Sequence, residues 1–177
     1  MSSDKQEDQP GERSLAPLPA PFVCPQARVL DDWIDYNGHM NMAFYNVAFD
    51  QALDAVYDAL GIGEGYLEHS GCSTFTLEAH VTYLREVRRG DPLRISWQLL
   101  AMDHKRLHFF EEMYHAEEGF LAATSEQISM HVDMDSRRST PFPEPLRARI
   151  ETLLSGHARL PWPDRVGHVI GIPSRSS

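Results

Sequence analysis

Two cysteines in 177 residues are too few for a disulfide framework, and Cys24 and Cys72 lack the spacing of a metal knuckle. Both are expected to be free thiols in a reducing compartment. No apolar run approaches the roughly 18 residues that span a bilayer, so no membrane segment is expected. Met1 to Arg13 is polar and has no apolar stretch of the kind a secretory signal requires. Basic residues are scarce too: 16 Lys and Arg against 26 Asp and Glu leave a net charge of -10. That balance argues against nucleic acid or an anionic membrane as partner. Nine histidines are present, but His-Glu-x-x-His is not. His104 and His108 fall in an expected turn and strand, so no metal site is expected. A cytoplasmic protein is the reading these absences favour.

What remains is ordinary for a globular domain: 42% hydrophobic and 24% charged residues. Residues 1–21 are polar and then proline-rich, and predict a disordered leader. Residues 22–155 predict one folded domain, and 156–177 an irregular tail. Arg28 to Ile34 reads as a first strand, ending at the turn-prone Asp-Tyr-Asn-Gly. A strong helix follows over 41–60. Phe44, Val47, Ala48, Ala52, Ala55, Val56 and Ala59 recur at helical spacing, and Phe49 widens the stripe. Gly61 and Gly63 stop it, and Gly61 to Gly65 reads as a flexible loop.

Strands are expected over Ser73–Val87, Leu93–Met102, Arg106–His115 and Phe120–Asp133, with a second helix over Pro143–Leu154. Short connections make this an antiparallel meander. The class is therefore α+β: about five strands curled around one long helix. The open edge of such a sheet invites a second copy, so a homodimer or dimer of dimers is expected.

The chemistry is concentrated in Asp35-Tyr36-Asn37-Gly38-His39-Met40-Asn41, followed by Phe44-Tyr45 and the helix. Asp35 lies just before a helix N-terminus, where unpaired N–H groups and the dipole favour developing negative charge. A carbonyl aimed there would be polarised, and Asp35 could act on it as base or nucleophile. The alternative for Asp35 is a turn or cap acid. Asn37 and Gly38 read as turn residues, with Gly38 allowing a positive φ. His39 is either a proton carrier or a positioner of the turn. Asn41 is the helix cap.

Glu78, His80 and Thr82 share one face of the second long strand; a solvated outer face is the plain reading. Glu111-Glu112 reads as strand surface. Arg85, Arg88 and Arg89 cluster at a strand end, as do Arg137 and Arg138, with Arg106 a further cation. Arginine suits phosphate, and solvated loop charges are the alternative.

The Asp35–Asn41 stretch, the aromatic pair after it, Arg89-Gly90-Asp91, and Met130-His131-Val132-Asp133 leading to Pro141-Phe142-Pro143 resemble the 4-hydroxybenzoyl-CoA-thioesterase-like hotdog enzymes. The resemblance covers residues 26 to 150. It implies a hotdog fold and acyl-CoA hydrolysis, with coenzyme A entering as part of the substrate and no separate cofactor. It also implies that Asp35 is catalytic, that the Met42 amide or a neighbour contacts the thioester oxygen, and that His39 and Asn41 shape the site. A Glu or Thr from a partner subunit completes the site in some relatives, which makes Glu78 a candidate.

The run Asp32 to Asp54 is further similar to thioesterases found beside, or fused to, L-carnitine dehydrogenases. These act on betainyl-CoA, whose acyl group ends in trimethylammonium. Aromatic faces attract such cations, and Trp33, Tyr36, Phe44 and Tyr45 surround the motif. Tyr36 and Tyr45 are the better cage candidates. The resemblance leaves two other functions open: an enoyl-CoA hydratase of the same fold, and a non-catalytic acyl-CoA-binding module.

Overall fold

The computed structural model describes residues 18–172. The chain order is β1 (Phe22–Val23), β2 (Ala27–Arg28), a single 3-10 turn (Asp31–Trp33), α1 (Met42–Leu60), α2 (Glu64–Ser70) and β3 (Cys72–Tyr83). There follow β4 (Pro92–Met102), β5 (Arg106–His115), β6 (Leu121–Asp133), β7 (Arg138–Ser139) and α3 (Glu144–His157). All strand pairs are antiparallel, in the order β1-β4-β5-β6-β3, with β2 also on β4 and β7 on β6. The four long strands and the short entry strands make the expected curled sheet around α1.

Helix α1 forms where the periodicity predicts it. Asn41 caps it by accepting from Ala43 N at 2.9 Å, and Gly61 ends it at φ 79°, donating to Asp58 O and Tyr57 O. Its buried stripe is Tyr45, Ala48, Phe49, Ala52, Leu53, Val56 and Leu60. The predicted stripe is thus rotated: Val47 is exposed, and Tyr45, Leu53 and Leu60 turn inward. The concave side of the sheet meets α1 with Ile95, Trp97, Leu99, Phe109 and Met113, all essentially fully buried. Alternation puts Ser96, Gln98, Phe110, Glu112, Glu126 and Ile128 on the convex side.

Three sequence expectations change. No continuous strand runs from Arg28 to Ile34. The strand lies earlier and in two pieces, because Pro25 has no N–H to give a ladder. Trp33 N and Ile34 N instead donate to Leu30 O and Asp31 O. The stretch after Gly61 is not a loop throughout, since Glu64–Ser70 is helical. It has no buried side chain of its own and is pinned by Tyr66, whose hydroxyl meets His131 Nε2 at 3.0 Å. Finally, β3 stops at Tyr83 rather than Val87. Leu84 N and Arg85 N both donate to Ala122 O, and the chain leaves the sheet.

Of the leader, Leu18 packs against the core, and Pro19 O accepts from His157 Nε2 at 3.2 Å. Residues 1–17 lie outside the described residues. His157 also closes a gap in the sheet. Beyond the end of two-residue β1, the Leu99 N–H donates to His157 Nδ1 at 2.8 Å. Burial lowers the His157 pKa, which suits a neutral ring with its proton on Nε2.

Candidate active site

Ile34 and Met40 form a β-bridge, and Asp35–His39 is the loop that closes it. Asp35 N donates to His39 O, and Gly38 N donates to Asp35 O, both at 3.0 Å. Gly38 sits at φ 86°, a conformation that a side chain would strain. Asn37 N donates to Asp35 Oδ1 at 2.8 Å. The carboxylate is therefore fixed by its own turn, while Oδ2 has, among the described residues, only Asn37 Nδ2, at 3.5 Å. The loop is anchored from outside as well: Met40 N donates to Val87 O and Asn41 N to Trp33 O.

The helix start presents a free donor. Ala43 N goes to Asn41 Oδ1 and Phe44 N to Asn41 O, so Met42 N–H has no partner among the described residues. Asp35 and Met42 line one cleft of about 500 Å³, together with Tyr36, His39, Met40, Asn41, Tyr45, Tyr83, Leu84, Arg85 and Glu86. A carboxylate and an unpaired N–H at a positive helix end can act on one carbonyl.

His39 stands between two carboxylates: Nδ1 is 3.8 Å from Asp35 Oδ1 and Nε2 is 3.7 Å from Glu86 Oε2. These are ion-pair distances rather than hydrogen bonds. Glu86 is held by Arg88 at 2.8 Å; that bond, and the nearby His39, lower the Glu86 pKa.

Of the expected aromatics, Trp33 and Phe44 stack on each other at 5.7 Å, Trp33 in the core and Phe44 packed against it. Tyr45 is buried and meets Tyr83 edge-on at 5.2 Å, while Tyr36 is 98% exposed at the rim. The Tyr83 hydroxyl donates to Met42 O at 3.3 Å. Burial raises the Tyr45 phenol above its usual pKa.

The three arginines separate. Arg88 pairs with Glu86, and Arg89 with Asp31 at 3.2 Å. The Arg85 guanidinium lies 3.7 Å over the Phe120 ring and has no carboxylate partner among the described residues. Arg85 and Glu86 also wall a neighbouring cleft of about 620 Å³ with Arg88, Asp91, His115, Glu118 and Phe120. Glu78 is not brought to Asp35 within one chain. It lies on the convex face with His80, His108 and Glu126. Among the described residues no group of three or more His, Cys, Asp or Glu is arranged to hold a metal, and no helix is long and apolar enough to cross a membrane.

Sequence reading missed Tyr83, Leu84 and Glu86, which arrive from the far end of β3. It also misplaced Glu111, which is fully buried rather than on the strand surface. Gln127 Nε2 donates to Glu111 Oε2 at 2.9 Å, and Oε1 has no partner among the described residues. Burial pushes the Glu111 pKa well above the usual carboxylate range.

One capped helix inside a curled antiparallel sheet, with a carboxylate at its N-terminal end, is the architecture of the hotdog thioesterases. The chain belongs to the Thioesterase-like superfamily, which matches residues 29–150. It is similar to the betainyl-CoA thioesterase of Pseudomonas aeruginosa: 43% identical over 145 residues, which cover 82% of this chain and 91% of that protein. It is 38% identical over 151 residues to the L-carnitine dehydrogenase/betainyl-CoA thioesterase of Rhizobium meliloti, covering 85% of this chain but 30% of that protein. Among solved structures, a Staphylococcus aureus protein in complex with CoA superposes with a TM-score of 0.81 at 33% identity, over 90% of this chain and 100% of that one. A putative thioesterase from Pseudomonas putida KT2440 does so at 0.75 and 34%, over 87% and 98%. The protein is a thioester hydrolase.

Proposed function

We propose that this enzyme hydrolyses a small acyl-CoA whose acyl group carries a quaternary ammonium, with betainyl-CoA as the best candidate. The observation that carries the reading is the shared cleft, in which the turn-fixed Asp35 carboxylate and the unpaired Met42 N–H lie among Tyr36, Tyr45, Tyr83 and Glu86. The relatives' names support the same acyl group.

On this reading the thioester oxygen sits at Met42 N–H. Asp35 takes a proton from water, the hydroxide attacks the carbonyl carbon, and the oxyanion is held by that amide. The C–S bond then breaks, and the thiolate of CoA leaves with the proton from Asp35. Attack by Asp35 itself would give a mixed anhydride that water opens. Rapid acid quench of a single turnover separates the routes, because only the second leaves the acyl group on Asp35. His39, steadied by Glu86, keeps the turn in place. Arg85 reaches toward the CoA phosphates, and the Arg88 and Arg89 pairs support the same rim. The tyrosine faces and Glu86 receive the cation.

The substrate brings its own CoA, and no other cofactor is invoked. The two free thiols suit a cytoplasmic setting. The 12-residue β3 is an open edge that exposes Phe75, Leu77 and Tyr83, which supports a homodimer formed edge to edge, or a pair of such dimers.

The test compares CoA-thiol release from betainyl-CoA and from its neutral isostere, 3,3-dimethylbutanoyl-CoA. A cation receptor worth about 1–2 kcal/mol gives betainyl-CoA an advantage of about tenfold in kcat/KM beyond the ratio of the two uncatalysed hydrolysis rates. An advantage no larger than that ratio would leave a thioesterase without the proposed specificity. Loss of an enoyl-CoA without thiol release would point instead to a hydratase.

A further inference from the structure

After α3 the chain turns back and crosses the convex face of the sheet. Residues Leu160–Asp164 lie over Ser96 and Gln98 of β4 and Phe110 and Glu112 of β5. Gln98 Nε2 donates to Pro161 O at 3.3 Å. Further on, Gly167 N donates to Glu126 Oε2 of β6 at 2.7 Å, while Glu126 Oε1 meets His108 Nε2 at 2.8 Å. The next residue, His168, brings its ring to 5.8 Å from that of His80 on β3. Successive residues therefore visit β4, β5, β6 and β3 in the order in which the strands lie side by side.

This path reaches the open edge at residue 168. The next apolar side chains are Val169, Ile170 and Ile172, exposed by 83%, 85% and 98%. Three large apolar side chains at the end of a pinned segment are a contact surface without its partner. The direction of travel says what the partner is. A second copy paired on β3 would continue the sheet at the spacing of one strand, about 4.8 Å. The convex face under the strap would then continue onto that copy. Near the edge this face carries the exposed Phe75, which pairs with Met130 and so shares the side of Glu126 and Ile128.

We propose that residues 161–172 form a strap that crosses from its own sheet onto the convex face of a second copy of this chain, where Val169, Ile170 and Ile172 are buried. Two-fold symmetry makes the exchange reciprocal, so each copy is clasped by the other. Glu126 fixes the strap at Gly167, and Val169 and Ile170 border Glu78 and Ala79 of their own edge strand before it crosses. The inference rests on the edge-to-edge dimer argued above, but not on the reaction.

The test is sedimentation equilibrium of the full chain and of the variant Val169→Ser/Ile170→Ser/Ile172→Ser. All three positions are exposed within one chain, so the variant folds. The wild type is expected to be a dimer or a pair of dimers, and the variant's dimer dissociation constant to rise about tenfold or more. Thiol release per site is expected to be unchanged at protein concentrations where the variant is still dimeric. A wild-type dimer with the same dissociation constant in the variant would overturn the strap and leave the dimer standing. A monomeric wild type would overturn both.

Discussion

Glu111 shows how a single residue can be misread and what the misreading costs. Glu111-Glu112 looks like strand surface, yet alternation separates the two. Leu107, Phe109, Glu111 and Met113 share the concave face, and only Glu112 faces out. The period-two pattern around Glu111 was the signal that could have placed it. Because burial raises its pKa, the folded chain holds Glu111 protonated where the unfolded chain ionises it. Its contribution to stability is fully present below the ordinary value of 4.5 and is lost as pH rises toward the folded value. Glu111→Gln keeps a partner for Gln127 and removes this loss. Urea unfolding should show the variant gaining on the wild type as pH rises above 4.5, by about 1.4 kcal/mol per pH unit until the folded value is passed. A gap that stays constant with pH would contradict the assignment. At the cleft, Asp35, His39, Asn41 and Met42 were legible because they are neighbours in sequence. Tyr83 and Glu86 were not, because only the folding of β3 brings them there.

Among elements, α1 was the most legible, since it has a cap, a period and a glycine stop. Its start matters most. Asn41 takes up two first-turn amides and leaves Met42 N–H facing the cleft. Asn41→Ala is expected to cost about 1 kcal/mol in stability. It should also lower kcat more than it raises KM, because the amide it disorders is the proposed oxyanion donor. A thermal melt with steady-state kinetics checks both, and an unchanged kcat would detach the cap from the chemistry. The first strand and α2 were illegible for opposite reasons. Arg28–Ile34 has strand-like composition, but the 3-10 turn at Asp31–Trp33 takes its hydrogen bonds. Helix α2 buries none of its side chains, so it has no apolar period to read.

At the scale of the molecule, the curled sheet and its central helix followed from element order alone. The course of the last described residues did not, because residues 158–172 have no period and are placed by single bonds to Gln98 and Glu126. The two clefts that meet at Arg85 and Glu86 divide the proposed substrate, acyl group at Asp35 and nucleotide toward Phe120. With the proposed strap and the pairing at the open β3, the working unit is more than one chain. The proposed reaction depends on one carboxylate placed beside one amide that is unpaired among the described residues. The most direct measurement is therefore CoA-thiol release by Asp35→Ala and Asp35→Asn, each first shown to be folded by its circular dichroism and melting temperature. Both variants are predicted to lose about 10²–10⁴-fold in kcat with little change in KM. Wild-type turnover in a folded Asp35→Ala enzyme would contradict the account.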